Sequence, residues 1–590
     1  MISNRLNTSD SLNKVGVMCE ALKHGGPDDQ GIFVDEKVNL IFGNRRLSII
    51  DLSNNGHQPM ADVDQRVWIT FNGEIYNYRE LKIQLIKLGA KFQSNTDTEV
   101  ILAAYLYWGV DAFSKLSGMF SFALYDKESQ IAYLVRDMTG IKPLYYHIEN
   151  GQLSFSSEIK ALKQAKIAID ADPNWKVRFL AFGHVPEPHT TLKNVYSLPK
   201  GHYLSWNLAN GQHSLASYSK TASKQPLIES VEDAEKYIRQ TLEEAVRRQL
   251  ISDAPIGVFL SGGIDSSILT LLANRQREQE LKTISIYFNE KAYDEHVFQS
   301  QIQKLVTGEK FSHLVQQQDF ENFLPHIIDQ MDMPTTDGIN TWFISKYAHE
   351  DGLKAVLSGM GADELFGGYP SFARIRYLQY LRKLPSFIFR LADYFPTDRY
   401  RKISFLTNPH PLADYLLLRG LFVPEDIAGI LDLDIRQVDD ILFSGISIPD
   451  LGPYDEEHAA WFESNLYMQN QLLHDTDIMS MSHGLEVRVP YLDEDVQSLA
   501  RRIDNRIRFS HTQPKKILID SFKDLLPMDI WNRPKMGFTF PLQEWMSQHP
   551  EITDQNSYIS KTAKGAVKKF KAGKMHWSKI FALYQLQHHA

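Results

Sequence analysis

Residues 255–267 have the sequence PIGVFLSGGIDSS, and this stretch decides the fold of the larger part of the chain. Its apolar run, 255–260, predicts a buried parallel strand, and the glycines that follow separate it from a helical segment at 264–281. Glycines at such a turn let the backbone approach phosphate oxygens, and the first helical turn contributes N–H groups and a positive dipole end. The stretch therefore predicts a phosphate site between a strand and a helix.

One carboxylate stands among these anion-binding groups. Because a carboxylate repels phosphate unless a divalent cation lies between them, Asp265 implies Mg2+. No lysine follows the glycines, so the loop differs from the G-x-x-x-x-G-K-S/T pattern, and an ordinary glycine turn is the alternative. The string S-G-G-x-D-S resembles the pyrophosphate-binding loop of ATP pyrophosphatases, which implies that ATP is bound by Leu260, Ser261, Gly262, Gly263, Asp265 and Ser266.

Composition sets limits on the whole chain. Its 590 residues suggest two to four domains, and the net charge of -9 argues against a general affinity for nucleic acid. A single cysteine, Cys19, fits a reducing compartment, and its place on the apolar side of a helix at 9–22 indicates core packing. Without an apolar run near 18 residues or a secretory signal pattern, we expect a cytoplasmic protein with no membrane partner.

The first third of the chain is built differently from the rest. Short runs with alternating apolar and polar residues, from VNLIFGN to QLSFSSE, predict antiparallel strands, with helices at 78–88 and 98–108. This is an α+β arrangement. The ordered motifs GGPDDQG, RRLSIIDLS, FNGEIYNYREL, NTDTEV, GMFSFALYD and RDMTGIKPLYY resemble the class II glutamine amidotransferase domain, an N-terminal-nucleophile fold of two sheets between helices.

The resemblance implies a glutamine pocket. Arg46 would bind the α-carboxylate of glutamine, and Glu74 and Asp97 its α-amino group. Asn72 and the backbone of Gly73 would be the catalytic oxyanion donors. The alternative is that Asn72 and Gly73 form a hairpin turn and that Asp97 is a helix cap.

Two positions depart from this family. Its mature chain begins with a cysteine that attacks glutamine, whereas this sequence begins Met1-Ile2, so we expect the nucleophile and the first short strand to be absent and glutaminase activity to be absent or very weak. Gly25 also stands where the family has arginine. Truncation, a misplaced start and genuine loss are the three explanations, and the retained pocket favours the first two.

A second glycine-rich motif, SGMGADELFGGY at 358–369, follows the strand-like KAVL. Ser358 and Gly359 can approach a nucleotide there, and Asp363 is a second candidate Mg2+ ligand beside Asp265. Together with HDTDIMSMSHGLEVRVPYLD and RPKMGFTFP, these motifs resemble the synthetase domain of the asparagine synthetase family, whose relatives include the β-lactam synthetases.

The resemblance covers nearly the whole chain and implies two domains. We expect an amidotransferase-like domain at 1–205 and an α/β ATP-pyrophosphatase domain at 206–590, a doubly wound parallel sheet with helical additions. Residues 170–225 would be a bridging segment of short strands and turns.

The mechanism that the family implies has two steps. A carboxylate attacks the α-phosphate of ATP, and ammonia then displaces AMP from the acyl-adenylate. Lys535 matches the lysine that contacts the reacting phosphates, and a compact ammonium suits that position. Asp477 stands where the family carries an aspartate, and a helix-surface or buried ion-pair role is equally compatible with it.

Two residues should line the acceptor pocket, Asp337 and Met360. Asparagine-forming members carry an acid where Met360 stands, and a thioether neither accepts a proton nor binds ammonium well. Methionine as a packing substitution is the alternative. The sharper hypothesis is an acceptor other than aspartate, such as a sugar acid or a natural-product intermediate.

We therefore expect a carbon–nitrogen ligase that uses ATP and Mg2+, a carboxylate acceptor, and glutamine or free ammonia, as in amino-acid biosynthesis. A cyclase that joins a carboxylate to an internal amine would use the same adenylation residues, but the retained glutamine pocket argues against it. A non-catalytic scaffold conflicts with the glycine loop and both candidate metal ligands. The resemblance also allows a homodimer.

Overall fold

A computed structural model describes residues 1–3, 8–219, 226–276, 281–395, 398–534 and 536–589. Their strands form two six-stranded antiparallel sheets and one five-stranded parallel sheet. The antiparallel sheets belong to the first part of the chain and the parallel sheet to the second. Both predicted fold classes, α+β followed by α/β, are therefore confirmed.

The two antiparallel sheets contain the first twelve strands. In the first sheet the spatial order is 10-8-9-1-3-2, and in the second it is 12-11-7-6-5-4, by position along the chain. Their bounds are β1 (Ile2–Ser3), β2 (Asp29–Asp35), β3 (Leu40–Arg46), β4 (Met60–Ala61), β5 (Val67–Ile75), β6 (Gly118–Asp126), β7 (Ile131–Arg136), β8 (Tyr145–Glu149), β9 (Gln152–Ser156), β10 (Val195–Ser197), β11 (His202–Asn207) and β12 (His213–Ser217).

The parallel sheet places the two predicted nucleotide loops side by side. Its strands are β13 (Ile256–Phe259), β14 (Lys282–Tyr287), β15 (Lys310–Leu314), β16 (Ala355–Leu357) and β17 (Glu486–Arg488). In space the order is β15-β14-β13-β16-β17, so the chain winds outward from β13 and then returns to β16 on its other side. Open α/β sheets bind ligands at the carboxyl ends of strands where the winding direction changes, which here is between β13 and β16.

Helices cover the faces of the sheets and form the C-terminal region. Glu463–Leu473, a π-helical stretch, joins two of them, and Ser386–Tyr394 is a 3-10 helix. No helix within the described residues has the length and apolar character needed to cross a membrane. The α-helices are α1 (Thr8–Ala21), α2 (Tyr78–Lys87), α3 (Asp97–Trp108), α4 (Ile159–Gln164), α5 (Trp175–Phe182), α6 (Val231–Gln249), α7 (Ile264–Gln276), α8 (His296–Gln303), α9 (Gln317–Gln330), α10 (Ile339–Glu350), α11 (Ala362–Phe366), α12 (Pro370–Leu381), α13 (Asp398–Arg401), α14 (Leu412–Arg419), α15 (Pro424–Leu431), α16 (Ile435–Leu442), α17 (Glu456–Phe462), α18 (His474–Met481), α19 (Glu494–Arg502), α20 (Asn505–Arg508), α21 (Lys516–Ser521), α22 (Met528–Trp531), α23 (Leu542–Gln548), α24 (Pro550–Thr553), α25 (Lys561–Lys571) and α26 (Trp577–His588).

Three expectations about the first domain are wrong. The boundary at 205/206 cuts through β11, whose pairing with β7 and β12 keeps the second sheet within the first domain as far as Ser217. Residues 170–225 were expected to bridge the domains; their described part, 170–219, has the expected short strands, but all three belong to the sheets of the first domain, and it also contains the helix α5. A short strand is also present at the beginning of the chain, since β1 pairs with both β3 and β9.

The domains share a core. One buried apolar cluster contains Met119 and Trp175 from the first domain together with Ile286 and Trp342 from the second. Backbone contacts cross the same boundary, where Ala181 O accepts a hydrogen bond from Leu421 N at 2.7 Å. Burial of apolar surface is the main stabilising contribution to such packing, so the two pockets are held in a fixed relation.

Candidate active sites

The loops after β13 and β16 form the walls of one cavity of about 470 Å³. A Cβ atom added at Gly359 would lie 3.1 Å from Asp265 Cβ and 3.1 Å from Ser266 N, so glycine permits the close contact of the two loops. Leu260 is instead buried at the end of the strand, and Gly262 directs its carbonyl to Arg533 at 3.0 Å. Of the predicted ATP-site residues, the cavity is lined by Ser261, Gly263, Asp265, Ser266, Ser358, Gly359 and Asp363.

The serines fix the shape of the first loop. Ser266 Oγ lies 3.0 Å from Ser261 Oγ and accepts a hydrogen bond from Ser261 N at 3.2 Å. Ser261 Oγ in turn accepts from Gly263 N at 3.3 Å. Local side-chain to backbone hydrogen bonds of this kind hold a tight turn in one conformation. The loop is therefore ordered before any phosphate binds.

A lysine that sequence reasoning missed lies between the two predicted metal ligands. Lys515 Nζ is 2.7 and 2.9 Å from the carboxylate oxygens of Asp265 and 2.8 Å from Asp363 Oδ1. Burial opposes the charged form of Lys515, but the two carboxylates outweigh it and raise the pKa of this lysine above its usual range. Both carboxylates thus converge on one cation-binding point, which suits Mg2+ held by one or two carboxylates and substrate phosphates.

The predicted acceptor residues also line the large cavity. Met360 and Asp337 both line it, as do Glu364 and Asp475. Burial, with the nearby Asp475 carboxylate, raises the pKa of Asp337 to about 7. Burial, with Asp363, likewise raises the pKa of Glu364 to about 7, and Glu364 accepts a hydrogen bond from the Tyr369 hydroxyl at 2.8 Å. The cavity wall therefore contains carboxyl groups whose pKa values lie near neutral pH.

Lys535 lies outside the described residues, so its predicted role stays a prediction. The residue two positions before it, Arg533, borders the same cavity. Arg533 Nη2 donates to Glu295 Oε1 at 2.6 Å, and its guanidinium carbon lies 3.7 Å from the Phe298 ring centroid. These contacts attach Arg533 to the start of α8, and its hydrogen bond to Gly262 O attaches it to the first nucleotide loop.

All five residues predicted to bind glutamine line a second cavity of about 70 Å³, namely Arg46, Asn72, Gly73, Glu74 and Asp97. The alternative interpretations, a hairpin turn and a helix cap, are both wrong. Asn72 and Gly73 are paired inside β5. The cap of α3 is Thr96, whose side chain accepts a hydrogen bond from Glu99 N. Gly73 has φ +136°, and a Cβ there would lie 2.0 Å from Met119 O, so only glycine fits.

Backbone carbonyls orient Arg46. Its Nη2 donates to Ile50 O at 3.1 Å and to Asp51 O at 2.6 Å, and its Nη1 donates to Ser53 O at 3.2 Å. A half-buried guanidinium held by carbonyls keeps its full positive charge for an incoming carboxylate.

Carboxylate side chains line the same small cavity. Asp97 accepts a hydrogen bond from Ile75 N at 2.9 Å, and burial raises its pKa to about 6. Burial also raises the pKa of Glu74 well above its usual range, an effect that Arg488 opposes. An ammonium group placed here would stabilise both ionised carboxylates.

Arg488, a second residue that sequence reasoning missed, connects this cavity with the nucleotide loops. Its Nη2 is 3.4 Å from Glu74 Oε1, and its Nη1 donates to the carbonyls of Gln249 and Ile251 at 2.8 and 2.6 Å. Its own carbonyl accepts from Ser358 N at 2.8 Å. A fully buried arginine thus contacts both sites.

A second buried ion pair crosses the domain boundary. Lys142 Nζ donates to Asp477 Oδ1 at 2.9 Å, and both side chains are largely buried. The structure therefore gives Asp477 the ion-pair role rather than a place on a helix surface. Cys19 is buried, and burial raises the pKa of its thiol, which supports its interpretation as core packing.

Comparisons with known proteins agree with this arrangement. The model of the glutamine amidotransferase domain matches residues 2–219, and that of asparagine synthase matches residues 237–568. Glutamine-hydrolyzing asparagine synthetase 1 of Bacillus subtilis (strain 168) is 33% identical over 551 residues, 91% of this chain and 85% of the relative.

Two further relatives are more distant. A putative glutamine-hydrolyzing asparagine synthetase of Mycobacterium tuberculosis (strain ATCC 25618 / H37Rv) is 29% identical over 577 residues, which is 91% of this chain and 85% of that protein. Amidase chry2 of Gibberella zeae is 27% identical over 579 residues, which is 89% of this chain and 84% of that protein.

The fold and the two cavities define a two-domain carbon–nitrogen ligase with an amidotransferase domain and an ATP-using synthetase domain. The chain belongs to the glutamine-hydrolysing asparagine synthetase family.

Proposed function

We propose that Asp265, Asp363 and the two glycine loops bind ATP so that a substrate carboxylate attacks the α-phosphorus. The observation that carries this proposal is the convergence of both loops and both carboxylates on one cavity. The new bond joins a carboxylate oxygen to phosphorus, pyrophosphate leaves, and an acyl-adenylate results. Ammonia then attacks the acyl carbon, AMP leaves, and one proton is released to a base.

Asp265 and Asp363 would hold Mg2+, which when bound supplies charge neutralisation for the departing pyrophosphate. The backbone N–H groups of the first loop would orient the phosphates, and Lys515 would keep both carboxylates ionised and in place. Asp337 and Glu364, whose pKa values are raised to about 7, line the cavity, and in their ionised form they would take up the proton released in amination.

The small cavity would bind glutamine, but its lining, among the residues that the structure describes, includes no cysteine to attack the amide, so we expect free ammonium to be the effective nitrogen donor. Its lining combines Arg46 with Glu74 and Asp97, which match the carboxylate and ammonium of a zwitterion. Asn72 and Gly73 also line the cavity and would be the oxyanion donors for the amide carbonyl.

Aspartate is the first acceptor to test, because the relatives are named asparagine synthetases. Met360 favours a second candidate, a carboxylate other than aspartate, because a thioether lines the cavity where asparagine-forming members carry an acid. The cyclase alternative is not favoured by the family match.

The deciding experiment measures pyrophosphate release with ATP, Mg2+ and ammonium across a panel of carboxylates beginning with aspartate and extending to uronic acids, with product analysis. Glutamine replaces ammonium in a parallel series. Asp265→Asn should abolish release with every acid, while Asp64→Asn, an exposed aspartate, should not. Lack of release with any acid, or release that survives Asp265→Asn, would reject the proposal.

A further inference from the structure

An apolar stripe lies on the surface of the synthetase domain. It follows α12 and continues along the 3-10 helix Ser386–Tyr394, with side chains three or four residues apart except for one adjacent pair. Such spacing normally marks a helix face that packs into a core. Here the side chains are between 38 and 68% exposed, and they are Tyr377, Tyr380, Leu384, Phe387, Ile388 and Leu391. We call them the 377–391 stripe.

The opposite face of the same segment already provides its attachment to the domain. Ile375, Leu378 and Phe389 are buried in the large apolar cluster. The stripe is therefore not needed to hold the segment in place. Contiguous exposed apolar side chains of this kind mark interaction sites on soluble proteins.

The charge around the stripe is positive. Residues 370–394, which comprise α12, the 3-10 helix and the turn between them, contain five arginines and lysines and one aspartate, Asp393, in a chain whose net charge is -9. Arg376 and Arg382 are paired with Glu456 and Asp414, each at 2.7 Å. The remaining three basic residues are exposed beside the stripe, and they are Arg374, Lys383 and Arg390.

We propose that the 377–391 stripe and its three exposed basic residues bind an anionic lipid surface. Aromatic and leucine side chains insert at the boundary between head groups and acyl chains, while lysine and arginine reach the head groups. Basic groups are attracted to anionic lipids over about a Debye length. The contact is peripheral and needs no membrane-spanning helix, but it departs from the sequence-based expectation of no membrane partner.

Charge also distinguishes this partner from a second copy of the chain. A two-fold contact would place the same patch on both sides of the interface, so that Lys383 and Arg390 would face the same groups of the other copy. Like charges in such an interface oppose association. An anionic surface is complementary to the patch instead.

The test is co-sedimentation of the full chain with vesicles of phosphatidylcholine alone or of an equimolar mixture of phosphatidylcholine and phosphatidylglycerol. We expect binding to the mixed vesicles that weakens as salt is raised, and little binding to phosphatidylcholine. The double variant Phe387→Ser with Leu391→Ser should bind mixed vesicles at least about tenfold more weakly. Lys383→Glu with Arg390→Glu should lose the preference for anionic vesicles.

The matched control is Ile559→Ser, because Ile559 is 98% exposed elsewhere on the surface and its variant should bind like the original chain. Thermal melting and ammonium-dependent activity in solution should be unchanged in all variants. Failure of the unaltered chain to bind mixed vesicles, or equal binding to both kinds, would overturn the proposal. So would light scattering that shows a dimer which the Phe387→Ser, Leu391→Ser variant converts to monomer.

Discussion

Arg488 and Glu74 face each other across the domain boundary, with 3.4 Å between Nη2 of the guanidinium and Oε1 of the carboxylate. Arg488 belongs to the last strand of the parallel sheet, and Glu74 lines the small cavity of the first domain. The arginine is fully buried, so the pair acts in a medium where charge interactions are strong. The backbone carbonyl of Arg488 also accepts a hydrogen bond from Ser358 N, so this one residue supports both sites.

Replacing Arg488 should change how glutamine binding depends on pH. Burial raises the pKa of Glu74, and the nearby Glu486 and Asp97 carboxylates raise it further, whereas Arg488 and, less strongly, Lys142 lower it. In Arg488→Met the Glu74 carboxylate should remain protonated at neutral pH, and glutamine affinity should fall about tenfold or more. Calorimetric titration with glutamine across pH should show the midpoint of binding displaced to higher pH.

The variant Arg488→Lys, which keeps the positive charge, should retain much of this affinity. A loss of folding alone would weaken glutamine binding without shifting the midpoint of its pH dependence. Arg506→Met, which removes a well-exposed arginine of the synthetase domain, is the matched control. An unchanged pH profile in Arg488→Met would show that the arginine does not set the charge of Glu74.

Lys515→Met should make stability depend on Mg2+. Without the lysine, Asp265 and Asp363 are left as two close carboxylates, which should cost about 2–4 kcal/mol of unfolding free energy in chelator. Added Mg2+ should restore the melting temperature more strongly in the variant than in the original chain, because the ion takes the place of the ammonium. Lys516→Met, at the exposed neighbouring position, should melt like the original chain; equal responses to Mg2+ in all three proteins would contradict a cation site here.

Asp97→Asn should flatten the pH dependence of stability. The pKa of Asp97 is raised from 3.8 to about 6, so its contribution is fully present below pH 3.8 and is lost as pH rises through about 6. The loss amounts to about 3 kcal/mol by neutral pH, and the amide should avoid it because it carries no charge. Urea denaturation at acidic and neutral pH measures this difference, with Asp64→Asn as control; a slope equal to that of the original chain would argue against a raised pKa.

Met360→Glu tests the acceptor pocket. If the thioether limits amination of aspartate, the carboxylate should increase asparagine formation with ammonium by about tenfold, because a base is then present beside the acyl carbon. Met360→Gln has nearly the same shape without the charge and should not show the gain. Equal asparagine formation in both variants and the original chain would assign Met360 to packing.

Local sequence determined most of the fold. The apolar run before Ser261 and the glycines after it are sufficient to predict β13, the turn and α7, because strand period, glycine conformation and helix capping are properties of neighbouring residues. The same reasoning located α2, α3 and the strands from β5 to β9. It failed at β11 and β12, where pairing with β7 rather than local pattern assigns the strands to the first domain.

The sequence by itself predicted which residues would face phosphate and glutamine, since the motifs around Asp265, Asp363 and Arg46 carry that chemistry in order along the chain. Only the tertiary structure decided what balances their charge. Lys515 lies 250 residues from Asp265, and Arg488 lies 414 residues from Glu74, so no local spacing could pair them. Buried charges require partners at contact distance, and which partner arrives there is fixed by tertiary packing, within the synthetase domain for Lys515 and between the two domains for Arg488.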